Sequence, residues 1–546
     1  MRPGKRSANW PRSGPDPDLD SALDALTADE LRSFVRDALQ RMDDAPRGTL
    51  EDALIARAAK GSSGWRPAGP AHGIVEEAGR FVAAARRSGE ADPSEVDRLL
   101  RAGTKAFLAG EHATARAVFE ALLPPIGTGE IDLGQHEMLD EVLTVNEHDC
   151  AAQYLVSVYL TTHLDERASA LWRALEAVRG VGSRWSPLQQ MQRAAAGPLA
   201  AFEEFLPRWI ERLEREPASE SEWETDPDRW LREAVLLTEG AAGLERIARR
   251  SKRAHALEAW CRALTEQGAW AEALQAFGDS VELAGTSFWR GAFLDGATLA
   301  AQQLGRDDLA TYMEAAWRGA PTLERLLCWL GSDAVDKGVL ASRVRSALER
   351  CPAKAARELG LLRTLAGDFS GASAILAKAP GLGWSGVDHP GRVLFPICAG
   401  LLAGEHGAVL CAELVAELGR MHTDAFDMEL GGTDRRRPKF KTPTIAELVE
   451  LAGVSTMVMP EDRGVMLAAM RQAATKRVES VVSEKRRHQY GHAATLVACC
   501  NEVAPALGMR AEVAEWVDGM RKKYSHFSAF QKALTSALAA GDRGAE

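Results

Sequence analysis

No run in the chain reaches the ~18–20 consecutive apolar residues that a bilayer-spanning helix needs, so no membrane partner is expected. Tyrosine is scarce, five residues in 546. No segment shows the repeated apolar/polar alternation of a half-buried strand, which argues against a sheet. The eight cysteines (150, 261, 328, 351, 398, 411, 499 and 500) never form C-x-x-C. That spacing would have pointed to a zinc ribbon or a thioredoxin-like site. They fall mostly within apolar segments and read as buried, reduced thiols. No Walker A loop and no kinase signature occurs, and no cofactor is expected. A net charge of −11 argues against broad binding to nucleic acid or anionic membrane. The first residues, MRPGKRSANWPRSGPDPD, are basic but lack the apolar core of a secretory signal. A cytoplasmic location is the expectation.

Ala, Leu, Glu and Arg dominate what remains, and these favour helix. The fold expected is all-α. Residues 1–18, rich in proline, read as a disordered tail. Residues 19–62 read as a helical pair able to dock on the rest. Thr27-Ala28-Asp29-Glu30 has the form of a capping box ahead of Leu31, Phe34, Val35 and Leu39. A second helix is expected near Leu50–Ala59, and Gly61–Pro67 is a linker.

Residues 63–430 read as a helical repeat region. Gly103 is followed by Gly110, Ala115 and Phe119. Cys261 is followed in the same way by Gly268, Ala273 and Phe277, and Gly360 by Gly367, Ala372 and Leu376. A weaker copy has Gly305 and Ala310 after Ala297-Thr298. In each, the glycine supplies a left-handed turn between two helices. The small residue allows close approach, and the large one fills the groove. The spacing is that of tetratricopeptide hairpins, whose period is ~34 residues. The architecture expected is a tetratricopeptide-like α-solenoid. Ala377–Gly404 interrupts the pattern with glycines and prolines. Residues 431–444 form a basic linker loop. Residues 445–546 read as a C-terminal helical region that closes the stack. Three helices are expected there: one through Tyr490, Ala493, Ala494, Val497 and Cys500, one through Val513, Trp516, Val517 and Met520, and one through Phe527, Phe530 and Leu534. Gly508 and Tyr524-Ser525 mark the stops between them.

Four places could carry chemistry. Gly381-Leu382-Gly383-Trp384-Ser385-Gly386 matches G-x-G-x-x-G, but a helix precedes it where dinucleotide binding needs a strand. Ser385, Asp388 and His389 lie in the same loop, and Val387 breaks the nucleophile-elbow pattern. The loop reads instead as a cap on the helix through Val393. His488 and His492 stand four apart on one expected helix face, a spacing able to share a metal, without the glutamate of H-E-x-x-H. His136, Glu137, Asp140, Glu141, Glu147, His148, Asp149, Cys150 and His163 form the densest set of metal-ligand types, at no named spacing. Glu147 and Asp149 also suit the start of a helix. Arg435, Arg436, Arg437, Lys439 and Lys441 form the strongest basic run, with Phe440 between the lysines. It could meet phosphate or an acidic partner.

The run Arg486-Arg487-His488-Gln489-Tyr490-Gly491-His492-Ala493-Ala494, with Trp516 and Arg521 to Phe530, resembles the C-terminal helical region of uncharacterised bacterial proteins related to the SWIM zinc finger family. Leu26–Leu31 resembles their opening. The finger's own C-x-C…C-x-H pattern is absent here, so its zinc and its nucleic-acid role are not implied. The resemblance implies a helical repeat protein and carries no established catalytic residue over to this chain. Together these features lead to a non-catalytic scaffold or adaptor that binds another protein. The alternatives are nucleic-acid association through 435–441, or an enzyme with an unrecognised site near Asp388-His389 or within His136–Cys150.

Overall fold

In a computed structural model of the chain, the described residues are 17–61, 64–136, 138–181, 186–216, 223–285, 289–332, 335–386, 388–404, 408–420 and 443–542. Among them are twenty-six α-helices joined by turns and short 3-10 segments, with no strand. A single isolated bridge joins Glu90 and Asp132. The all-α expectation holds. The chain divides into two compact units, Met1–Leu244 and Glu245–Glu546. The division falls inside the Asp226–Ser251 helix, just after a kink at Gly240 (φ 62°, ψ −147°).

The glycine turns read from sequence form as left-handed turns. Gly110, Gly268, Gly305 and Gly367 have φ of 87°, 71°, 63° and 80°. In each, the amide of the following residue donates to the carbonyl five positions back. The bonds are Glu111 to Ala106, Ala269 to Leu264, Arg306 to Ala301 and Asp368 to Arg363, at 2.8–3.1 Å. These bonds satisfy carbonyls that the helix end would leave bare, and they reverse the chain within two residues. Helices also approach closely beside the first of these turns. A methyl added at Gly103 would lie 2.8 Å from the Phe119 ring.

The first unit begins with three helices, Pro17–Ala25, Ala28–Arg41 and Asp44–Lys60, where two were expected. Its first helix takes in residues 17 and 18 of the expected tail, and residues 1–16 lie outside the described residues. The Thr27 capping box forms: the Glu30 amide donates to Thr27 Oγ1 at 3.3 Å, and the Thr27 amide to Glu30 Oε2 at 2.9 Å. The Asp44–Lys60 helix docks. Arg101 Nε reaches Asp52 at 2.9 Å, Lys60 Nζ reaches the Arg193 carbonyl at 2.8 Å, and Ala56 and Ala59 pack on the core. The Ala28–Arg41 helix buries none of its residues. The unit's core ends in an aromatic stack. Phe202, Phe205 and Trp209 recur at helical spacing on the Phe202–Glu214 helix. Phe205 meets Tyr159 edge-on at 5.1 Å, and Trp209 stacks on Trp230 at 6.4 Å.

In the second unit, successive helices from Ala254 to Arg420 pack each on the next. The chain then folds back. Pro460–Ser483 lies against Phe369–Lys378 and Gly391–Ala403. The three expected C-terminal helices form as Tyr490–Val503, Arg510–Lys523 and Ser528–Asp542, with Gly508 at φ 68°. Tyr490–Val503 is the central one, touching Gly391–Ala403, Val409–Arg420, Pro460–Ser483 and Ser528–Asp542. One apolar core runs from Met313 to Leu534. The helices on either side of 431–444 therefore share a core. Phe530 is fully buried between Tyr490 (5.9 Å) and Tyr524 (5.8 Å).

Candidate functional site

The Gly381–Gly386 loop is preceded by the Phe369–Lys378 helix, and it is pinned by donors from two directions. Lys476 Nζ donates to the Ala377 carbonyl at 2.8 Å, and Arg477 Nη1 to the Gly381 carbonyl at 3.1 Å. His389 Nδ1 accepts from the Gly391 amide at 3.1 Å, so its Nε2 carries the proton and donates to the Pro380 carbonyl at 2.9 Å. A side chain at Gly381 would collide with the Lys476 carbonyl and the Ser480 hydroxyl, so only glycine lets the loop sit there. The His389 ring thus caps the Gly391–Ala403 helix, as expected. Burial lowers its pKa and keeps it neutral. Both its nitrogens are engaged by backbone, leaving none to activate Ser385. The Asp388 side chain is 94% exposed and comes no nearer to Arg357 than 3.9 Å.

Two residues from separate sequence candidates meet here. Trp384 packs on His389 at 4.7 Å on one side and on His492 at 5.3 Å on the other. Desolvation against its neighbours, with Arg477, His389 and Arg392, lowers the His492 pKa, and because the residue is exposed to solvent the effect is damped. His488 does not join it. It lies in the Arg487–Gln489 3-10 turn before the helix begins at Tyr490, so the expected shared helix face is not formed.

Among the described residues of the His136–Cys150 stretch and His163, no group of three possible ligands converges. The His136 amide donates to Glu141, and His163 faces Asp165 at 3.6 Å. Glu137 lies outside the described residues. Glu147 and Asp149 sit in the first turn of the Glu147–Thr161 helix, which Asn146 caps by accepting from the Asp149 amide at 3.0 Å. Cys150 is buried beside Thr104 (3.9 Å), and burial pushes its thiol up to about 12. The basic run Arg435–Lys441 lies outside the described residues.

Three features were not read from the sequence. The first is a device used three times, in which a carboxylate accepts from two consecutive backbone amides. Asp97 takes Thr144 and Val145, Glu233 takes Leu188 and Gln189, and Glu502 takes Leu410 and Cys411, at 2.7–3.1 Å. The second is a cluster of possible ligands: Cys411, Cys499 and Glu502 bring their Sγ and carboxylate atoms within 4.8 Å of one another. Cys499 and Glu502 stand at helical i, i+3 spacing, a signal present in the sequence. Their partner is 88 residues away and gives no local signal. The third is a cavity of about 150 Å³ lined by Arg66, Phe107, His112, Leu160 and Leu199, well below the ~300 Å³ at which small-molecule sites begin.

The Ala28–Arg41 helix leaves part of an apolar stripe open. Leu31 is 37% exposed and Phe34 62%. Val35, Ala38 and Leu39, on the same stripe, are half-buried. No family model, no curated protein and no solved structure matches the chain.

Proposed function

We propose that the chain is a non-catalytic, cytoplasmic adaptor that binds another protein. In this reading its hairpins stack as a tetratricopeptide-like solenoid, and the resemblance of its two ends to bacterial helical-repeat proteins related to the SWIM family is one of architecture. The repeated left-handed glycine turns and the sequential packing of Ala254–Arg420 support the stack. Among the described residues no helix is long and apolar enough to cross a membrane.

One observation carries the binding role. The Ala28–Arg41 helix has a complete capping box and an apolar stripe, yet none of its residues is fully buried, and Leu31 and Phe34 stay exposed. A fourteen-residue helix with little packing is marginal in water, and a stripe only partly covered forgoes part of its main source of stability. Burying a side chain such as Leu31 or Phe34 contributes ~1.5–3 kcal/mol each. A partner offering an apolar groove recovers that energy, in the helix-in-groove mode.

The test compares wild type with Leu31→Glu/Phe34→Glu as bait in extract of the native host. The double variant removes the stripe and spares Thr27 and Glu30, so its circular dichroism should match wild type. The expected result is a protein retained in stoichiometric amount by wild type and reduced at least tenfold on the variant. Equal retention by both, or none by either, overturns the reading.

A further inference from the structure

We propose that Cys411, Cys499 and Glu502 form a binding site for a thiophilic divalent cation, of which Zn²⁺ is the natural choice. Their donor atoms lie within 4.8 Å of one another. A tetrahedral zinc with Zn–S of ~2.3 Å and Zn–O of ~2.0–2.2 Å sets its donors roughly 3.5–3.8 Å apart. Donors held within 4.8 Å of one another are near that geometry, and binding would draw them together. The residues share nothing with a C-x-C…C-x-H finger.

The elements that hold the trio suit a metal. Cys499 and Glu502 project from one face of the Tyr490–Val503 helix, as i and i+3 residues do. Cys411 stands in the first turn of the Val409–Arg420 helix, with Cys499 and Glu502 beside it. The Glu502 carboxylate is aimed by two amide hydrogen bonds, from Leu410 at 3.1 Å and Cys411 at 3.0 Å. Each of its oxygens has a further lone pair for a cation. Such outer contacts orient metal ligands and tune their affinity. Both thiols are buried, at 1% and 0% exposure. Glu502 is only half-buried, so ions and water reach the site from its side. Three protein ligands leave a fourth position for water.

A polar partner does not set the trio apart: Cys150 faces the Thr104 hydroxyl, Cys261 that of Ser280 at 3.4 Å, and the Cys411 thiol the Cys499 carbonyl at 3.9 Å. The difference is the cluster itself, which Cys150 and Cys261 lack among the described residues. Binding converts two thiols to thiolates and releases two protons to solvent per cation. Two thiolates and one carboxylate then carry three negative charges against the cation's two positive ones. No oxidant or reductant is required.

The experiment is titration of the reduced, purified full chain with Co²⁺, followed by displacement with Zn²⁺. The expected result is one Co²⁺ per chain, with a thiolate-to-cobalt charge-transfer band in the near ultraviolet that Zn²⁺ abolishes. Two protons should be released for each Zn²⁺ bound to the metal-free chain. Cys411→Ser and Cys499→Ser should remove the band, Glu502→Gln should weaken binding by about tenfold, and Cys150→Ser should leave it unchanged. The wild-type titration needs no variant to fold. Absence of the band in wild type overturns the proposal, and so does a band that persists in a folded Cys499→Ser chain.

Discussion

Gly296→Ala separates packing from helix propensity by the sign of its effect. Gly296 lies inside the Arg290–Gln303 helix, directly over Phe277 of the preceding Trp270–Leu283 helix. A methyl there would overlap Cε1 and Cζ of the ring and stand 2.5 Å from Cδ1. Phe277 is fully buried, so its ring has nowhere to swing without moving the helix. Overpacking of this kind costs ~1–3 kcal/mol, and this contact lies at the severe end. Alanine instead of glycine in a helix interior returns about 1 kcal/mol. The net expectation is a loss of about 1–2 kcal/mol. Gly278→Ala, on the same helix as Phe277, is the control. Nothing lies within 4 Å of its added methyl, so propensity alone acts, and the variant should gain ~0.5–1 kcal/mol. Adding Phe277→Leu to Gly296→Ala should recover part of the loss, because the two positions are directly coupled. Urea unfolding followed by circular dichroism reads all four chains. If Gly296→Ala stabilises as Gly278→Ala does, the helices are not in the close approach described and the hairpin reasoning fails.

Two further outcomes follow from buried groups. Burial raises the Glu233 carboxyl from 4.5 to about 7, with the Gln189 and Leu188 amides offsetting part of the effect. The folded state therefore holds the proton more tightly than the unfolded one. Its contribution is fully present below about 4.5 and is lost as pH rises through about 7, a change of about 3 kcal/mol. Urea unfolding between pH 5 and 8 should show this slope in wild type and not in Glu233→Gln, and parallel profiles would refute it. Phe530→Ala should cost ~3–5 kcal/mol in the same unfolding assay, since the ring is fully buried against Tyr490 and Tyr524. A loss below about 1 kcal/mol would mean that the last helix lies outside the core.

The helices and their turns were legible because both are local. A glycine that must adopt positive φ, such as Gly268 or Gly367, stands beside the apolar residues that it separates. The three C-terminal helices came from i, i+3 spacing in the same way. What was not legible depends on helices far apart in sequence. Cys411 meets Cys499 only because Val409–Arg420 packs on Tyr490–Val503. His389 and His492 read as separate candidates, whereas Trp384 lies between them. His488 was misplaced because the periodic pattern was extended back through a turn. The kink at Gly240, a few residues before the division, was hidden because Gly240 and Gly243 among helix formers look like tolerated interruptions, and only the backbone angles mark it. The amphipathic stripe from Leu31 to Leu39 was visible, but amphipathicity does not say what will cover it.

Amide hydrogen exchange across residues 28–41 tests the adaptor reading most directly, measured on the chain alone and with the protein it captures. No residue of the helix is fully buried, so its amides should exchange near the rate of a marginal helix in the free chain. They should slow by at least tenfold in the complex, while those of Phe202–Glu214 stay unchanged. Strong protection already present in the free chain, or exchange unaltered by the captured protein, would contradict the claim that this face awaits a partner.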